Sequence, residues 1–461
     1  MTHKNEPALY SNVNCFIKFS FLSKNRVRLI SKGRVAQNTA ITIFLKAKDM
    51  RATLHAGKGF TLLFIVILLS GCSVNPVTGD EQFLLPSPAV DRQIGQSQYI
   101  PAQQSQGGAY TLDPQLSAYV SRVGKKLAAV SDAPELPYEF VILNNSVPNA
   151  WALPGGKIAI NRGLLLELQD EAQLAAVLGH EIVHSAARHG AQQMRNQQLL
   201  QLGLAGLGVA LPDNDYRQLV IGGAALGAQL TSAKYGRNNE LESDEYGMKY
   251  MAKAGYDLQA AVELQQIFLK LSGQQQSSWL DGLFASHPPS AERVKQNMIH
   301  ADTYASQPGY RGREAYQQAT ANLRSKAAAY DKADKAAKAL AKNNLDTAQS
   351  LLAEAIKIEP NEALFYSLKG RTLQAQGKPI LALNAHNKAQ TLNPAQFSYY
   401  LHRAQTHLSL NQTEKAQADL QTSMEYLPTS TAALQLGQLF ESKGQPEQAQ
   451  YYYQMSGTSV R

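Results

Sequence analysis

Cysteine is nearly missing from this sequence. Cys15 and Cys72 are the only two among 461 residues, so a framework of several disulfides is excluded. No apolar run reaches the ~20 residues that a bilayer-spanning helix needs. The longest candidate, Phe60 to Leu69, is half that length. The body of the chain also lacks a basic stripe, although the formal charge is +8. Residues 1–71 hold eleven Lys/Arg against two Asp/Glu, which leaves 72–461 at −1. That distribution, and the absence of any nucleic-acid motif, argue against a nucleic-acid partner.

What is present begins at Met50. Arg51 and Lys58 form a positive lead, Phe60–Leu69 an apolar core, and Leu69-Ser70-Gly71-Cys72 a lipobox-like end. This reads as a lipoprotein signal over 50–71, with Cys72 lipidated and first in the mature chain. Residues 1–49 then read as a mis-called or non-mature extension. The exported body would carry no free thiol. Ser73 after the cysteine fits outer-membrane sorting on the periplasmic face.

Residues 72–110 are rich in Pro, Gln, Ser and Gly and read as a tether with a short amphipathic opening. The span 111–325 reads as an α+β domain, mostly helical. Strands are expected at Tyr138–Leu143 and Lys157–Ile160 around a Pro/Gly turn. The apolar, Gly/Ala-rich stretch 201–230 reads as two packed helices. From 326 to 461 the sequence repeats. Pro360, Pro394 and Pro428 are 34 apart, as are Ala348, Ala382 and Ala416, and Ala336, Gly370 and Ala404. Small residues at these offsets let paired helices cross closely, and the proline ends each pair. That is tetratricopeptide logic and predicts an α-solenoid. The fold class is mostly α.

The chemistry centres on LGHEIVHSAARHG at 178–190. Asp170 can cap a helix there, with Gln173 as its box partner. On that helix His180 and His184 lie one turn apart on one face, placed to share a metal. Glu181 is one position along and can reach a water on that metal. His189 is the obvious third ligand, yet the metzincin spacing fails because Ala187 stands where glycine is required. At 100° per residue His189 lies about 140° further round, so it reads as a supporting or surface residue. The better candidate is Glu240 in ELESDEYG, with Asp244 one turn on to orient a ligand histidine. A plain solvated acidic helix is the alternative. Glu242 and Glu245 are expected to be solvated neighbours.

Together HEIVHSAARHG, ELESDEYG, HPPSAER at 287–293 and NAWALPGGKIAINRGLL at 149–165 resemble the M48 family of zinc metallopeptidases. NPVTGDEQ after Cys72 resembles exported bacterial members. The resemblance implies one Zn2+ per chain on His180, His184 and Glu240. It implies Glu181 as general base, Asp244 as a supporting acid, and an edge strand near Asn149, Ala150 and Trp151 that pairs with an extended substrate. Arg293 is a candidate for oxyanion stabilisation or for bracing its loop. His287, stiffened by Pro288 and Pro289, is a candidate cap on the zinc; a packing turn or a substrate contact are its alternatives.

The function expected is an envelope endopeptidase acting on misfolded or stalled outer-membrane proteins. The repeats would recruit substrates or assembly machinery, and the lipid would hold the chain at the membrane. The other reading is a lipid-anchored scaffold or chaperone with a silent protease.

Overall fold

The computed structural model describes residues 18–22, 26–30, 72–83, 87–196, 234–274, 282–305 and 308–458. The signal segment 50–71 and the apolar stretch 201–230 lie outside them. So does the extension 1–49, apart from two strands, Lys18–Leu22 and Arg26–Ile30, which pair antiparallel as a small unit of their own. Among the described residues no helix is long and apolar enough to cross a membrane.

The described residues of the stretch that reads as a tether, 72–83 and 87–110, are ordered structure. Cys72–Val74 and Glu81–Phe83 form an antiparallel hairpin. Its turn is closed by Asn75, whose Oδ1 accepts from Val77 N at 2.9 Å, and by Gly79 at a φ of +77°. Val77 enters the hydrophobic core. Pro88–Ser105 is an 18-residue helix, capped by Ser87 with proline at its first position. It docks through Tyr99, whose ring meets Trp151 edge-on, and through Gly95, where an added Cβ would stand 1.8 Å from Pro154 O. Composition misled here because these anchors are few and widely spaced.

The two expected strands form, and a third lies where the resemblance implies an edge strand. Lys157–Asn161 is the centre of a three-stranded sheet. Glu139–Leu143 runs parallel on one side and Ala150–Leu153 antiparallel on the other. The turn between Ala150–Leu153 and Lys157–Asn161 needs Gly155 and Gly156, both at positive φ. Beneath the sheet lies the helix Glu171–Ala186, buried over nearly its whole length. Asp170 Oδ1 accepts from Gln173 N at 2.9 Å, while Gln173 Oε1 reaches back to Gln169 N at 2.9 Å. Arg311 adds a second lock on Asp170 at 2.7 Å.

The C-terminal part is an α-solenoid of helix pairs. Arg313–Ala341 leads into Leu345–Ile358, Ala363–Ala375 into Pro379–Leu392, Phe397–Ser409 into Thr413–Tyr426, and Ser430–Ser442 into Pro446–Ser456. Pro360, Pro394 and Pro428 each fall two residues beyond the second helix of a pair. Ala348, Ala382, Ala404 and Ala416 are fully buried where helices cross, and a Cβ on Gly370 would overlap the His386 ring.

No linker separates the repeats from the sheet-bearing part. The 29-residue helix Arg313–Ala341 runs through position 325 unbroken. Its first half packs on the upstream domain, with Tyr316 Oη donating to Leu165 O at 2.6 Å. Its second half opens the first repeat. A buried polar knot joins the two. Glu362 accepts from Tyr330 Oη at 2.6 Å and Asn144 Nδ2 at 3.1 Å, while Arg162 lies 3.5 Å above the Tyr330 ring.

Candidate metal centre

Two helices build the site. Glu171–Ala186 carries His180, Glu181 and His184, and Arg237–Lys253 carries Glu240 and Asp244. Glycines let them approach: a Cβ on Gly179 would stand 3.1 Å from Gly247 O. Glu240 thereby reaches the histidine face. His184 Nε2 lies 3.4 Å from Glu240 Oε1, and His180 Nε2 lies 3.6 Å from Glu240 Oε2. The two histidine Nε2 atoms are 3.0 Å apart.

His287 joins them from the loop before Ala291–Tyr304. Its Nδ1 is 3.3 Å from His180 Nε2 and 3.1 Å from Glu240 Oε1. The donor atoms of His180, His184, Glu240 and His287 all lie within 4.8 Å of one another, and all four residues are buried. Four ligands at ~2.0–2.1 Å in a tetrahedron stand roughly 3.3–3.4 Å apart. The observed separations bracket that value. Nitrogen and carboxylate donors in this number suit zinc, so the residues fit the metal.

The surroundings orient the donors. His180 Nδ1 faces Asp244 Oδ1 at 2.9 Å, an arrangement that puts its proton on Nδ1 and frees Nε2. Burial would lower the pKa of His180, but Glu240 and Asp244 push it up to about 9. A metal taking Nε2 therefore displaces a proton. Burial drives His184 well below its ordinary value and keeps it neutral. Glu240 and Asp244 resist the opposite pull of burial. His287, Arg293 and His180 hold Glu240 well below the usual carboxylate range; Arg293 and His180 hold Asp244 low.

Arg293 is the cation behind both carboxylates. Its Nε and Nη2 each donate to Asp244 at 2.7 Å, and Nη1 stands 2.8 Å from Glu240 Oε2. It therefore braces the acids rather than facing open space. Glu181 is fully buried, with Oε1 3.5 Å from His287 Nε2 and, among the described residues, no hydrogen-bond partner for Oε2. Burial raises its pKa and makes its carboxylate a stronger proton acceptor. The adjoining wall is apolar, formed by Val177, Met248, Leu264, Phe268 and Leu283. Such a wall strengthens every charge interaction beside it.

Asn149, Ala150 and Trp151 lie at the start of the edge strand. Asn149 O accepts from Asn161 N at 2.8 Å, and Trp151 is buried against Tyr99. The end of the strand runs along the metal-bearing helix, where Ser185 Oγ donates to Leu153 O at 3.0 Å. Cys72 is the first residue of the N-terminal hairpin.

His189, read above as a supporting or surface residue, is buried and does not point away, and other contacts escaped the sequence reading. The helix ends at Ala186, Arg188 adopts a φ of +59°, and the chain doubles back so that His189 Nδ1 lies 2.8 Å from His184 Nδ1. The constant 100° step simply stops applying at that turn. Arg188 is held there by Asp91 at 2.6 Å. Tyr235 stacks on His184 with ring centroids 3.9 Å apart. Glu242 and Glu245 are not free in solvent either. Glu242 accepts from Asn75 Nδ2 at 3.0 Å, and Glu245 from Tyr304 Oη at 2.9 Å. The only early signals were the Arg-His pair after the metal motif and the NPVTG turn.

Residues 114–297 match the model described as peptidase family M48. The beta-barrel assembly-enhancing protease of Yersinia pestis is 30% identical over 179 residues, covering 37% of this chain and 36% of that protein. The Escherichia coli K12 protein of the same name is 32% identical over 155 residues, covering 32% and 31%. The mitochondrial metalloendopeptidase OMA1 of Schizosaccharomyces pombe is 33% identical over 181 residues, covering 39% and 51%. The match thus spans about a third of the length of the two bacterial relatives.

Proposed function

We propose, from the match of residues 114–297 to peptidase family M48, that the chain is a zinc-dependent endopeptidase of the bacterial envelope. One observation carries this reading. His180, His184 and Glu240 converge at metal-ligand separations, with Glu181 beside them.

His180, His184 and Glu240 would hold the zinc, which would supply Lewis acidity toward a scissile carbonyl and an attacking water. Glu181 takes the proton of that water and passes it to the leaving amine. Asp244 keeps His180 in the liganding tautomer, and Arg293 keeps both acids ionised and in place. An extended substrate would pair with the edge strand Ala150–Leu153, a mode that reads few side chains and tolerates varied sequences.

His287 would hold the fourth ligand position at rest and exclude the water. Its displacement would switch the site on. A solenoid of helix pairs follows the matched region in the chain, and the relatives in two bacteria are named for enhancing β-barrel assembly. We therefore assign unfolded or misassembled envelope proteins as substrates, and assembly machinery or the substrates themselves as the ligand of the repeats. Lipid on Cys72 would place the enzyme on the periplasmic face of the outer membrane.

The test is a Glu181→Gln trap. Purified full-length variant is expected to capture envelope proteins that the wild type degrades, with capture lost when zinc is chelated. Capture that survives chelation would point to the scaffold reading instead.

A further inference from the structure

The contact of His184 with His189 has two possible proton arrangements, and only one of them permits metal binding. Between two imidazole nitrogens 2.8 Å apart, one donates and the other accepts. If His189 donated through Nδ1, His184 would carry its own proton on Nε2 and could not be a ligand. If His189 is protonated on Nε2 instead, its Nδ1 accepts from His184 and leaves His184 Nε2 free. The choice is made on the far side of His189. That side is fully buried, and among the described residues Nε2 makes no well-aligned hydrogen bond. The acid it faces is Glu242, with Oε1 at 3.4 Å.

Glu242 is itself held. Asn75 Nδ2 donates to the same Oε1 at 3.0 Å. The amide of Asn75 is oriented because its Oδ1 is occupied by Val77 N at 2.9 Å, and the residue is only 2% exposed. The N-terminal hairpin therefore reaches the metal ligands through a continuous series: Asn75, Glu242, His189, His184.

We propose that Glu242, held by Asn75, is a positioning residue for the metal. It fixes the His189 tautomer and through it the liganding tautomer of His184. This matches what Asp244 does for His180, one residue further removed. The proposal rests on the zinc-site reading above.

The test measures zinc affinity of the full chain by competition with a chromophoric chelator, and the melting temperature of each apo-protein. Glu242→Ala and His189→Ala are expected to weaken zinc binding by about 10–100-fold, the usual cost of losing an outer partner. Glu242→Gln, which keeps an acceptor oxygen, is expected to lose less. Asn75→Ala should cost less than Glu242→Ala, and the double variant should match Glu242→Ala alone, because Asn75 acts only through Glu242. Gln82→Ala removes a different hairpin contact, the one from Gln192 at 3.0 Å, and should leave zinc affinity unchanged. The proposal is overturned if Glu242→Ala and Glu242→Gln bind zinc as wild type does. It is equally overturned if Asn75 and Glu242 losses add, or if Gln82→Ala loses as much. A wild type that binds no zinc would instead overturn the peptidase reading itself.

Discussion

Gly179 and Gly247 face each other where the two ligand-bearing helices cross. A Cβ on Gly247 would stand 3.0 Å from His180 N, and one on Gly179 would stand 3.1 Å from Gly247 O. The opposing atoms are backbone and cannot swing aside. Gly247→Val is therefore expected to cost about 1–3 kcal/mol from overpacking. It should also weaken zinc binding, because Glu240 and Asp244 are carried on the helix that is displaced. Thermal melting and chelator competition check both effects. An unchanged affinity would show that the crossing does not set the ligand distance.

Arg293 is expected to hold the site together before any metal arrives. Its removal would leave the buried anions Asp244 and Glu240 with only histidines to offset them. Arg293→Ala should destabilise the apo-protein by about 3–5 kcal/mol. Arg293→Lys should recover part of this, since a lysine cannot match the paired Nε and Nη2 contacts to Asp244. Denaturant unfolding of the apo-proteins measures it.

His287→Ala tests the cap. At matched zinc content the variant is expected to cleave an unfolded model protein faster than wild type, because a ligand position is opened. Slower cleavage with normal zinc would make His287 a substrate contact.

Acid should destabilise the repeats. Burial first, then Arg371, lowers His386 to about 4 and His402 to about 3; Arg403 adds to the effect on His386. Both side chains are neutral in the fold and take up protons on unfolding. Their contribution is thus fully present above the ordinary value near 6.5, and is lost as pH falls from there towards 4 and 3. Each histidine weakens the fold by up to about 1.4 kcal/mol per pH unit in that window. The melting temperature of the repeat transition is expected to drop between pH 7 and pH 5. His402→Gln should flatten the dependence, and an equal drop in that variant would assign the loss elsewhere.

Much of this molecule is written in local spacing. His180 and His184 share a helical face, and Glu240 and Asp244 share another, because a four-residue step is one turn wherever a helix holds. The 34-residue rhythm of Pro360, Pro394 and Pro428 translates into helix pairs for the same reason. What spacing cannot convey is contact between segments far apart in the chain. Asn75 meets Glu242, Asp91 meets Arg188, and Arg311 meets Asp170 across 97 to 167 positions. His189 was misplaced by a single left-handed residue, Arg188, which ends the helix and turns the ring back. The composition of 72–110 reads as loose because its anchors, Asn75, Val77, Gly95 and Tyr99, act one at a time.

The central claim is that Glu240 holds the metal while Glu181 moves the proton. Zinc content and cleavage of an unfolded model protein, measured together on wild type, Glu240→Gln and Glu181→Gln, separate these roles. Wild type is expected to hold one zinc per chain and cleave, Glu240→Gln to lose both, and Glu181→Gln to keep zinc while cleavage disappears. Full zinc in Glu240→Gln, or cleavage by Glu181→Gln, would contradict the account.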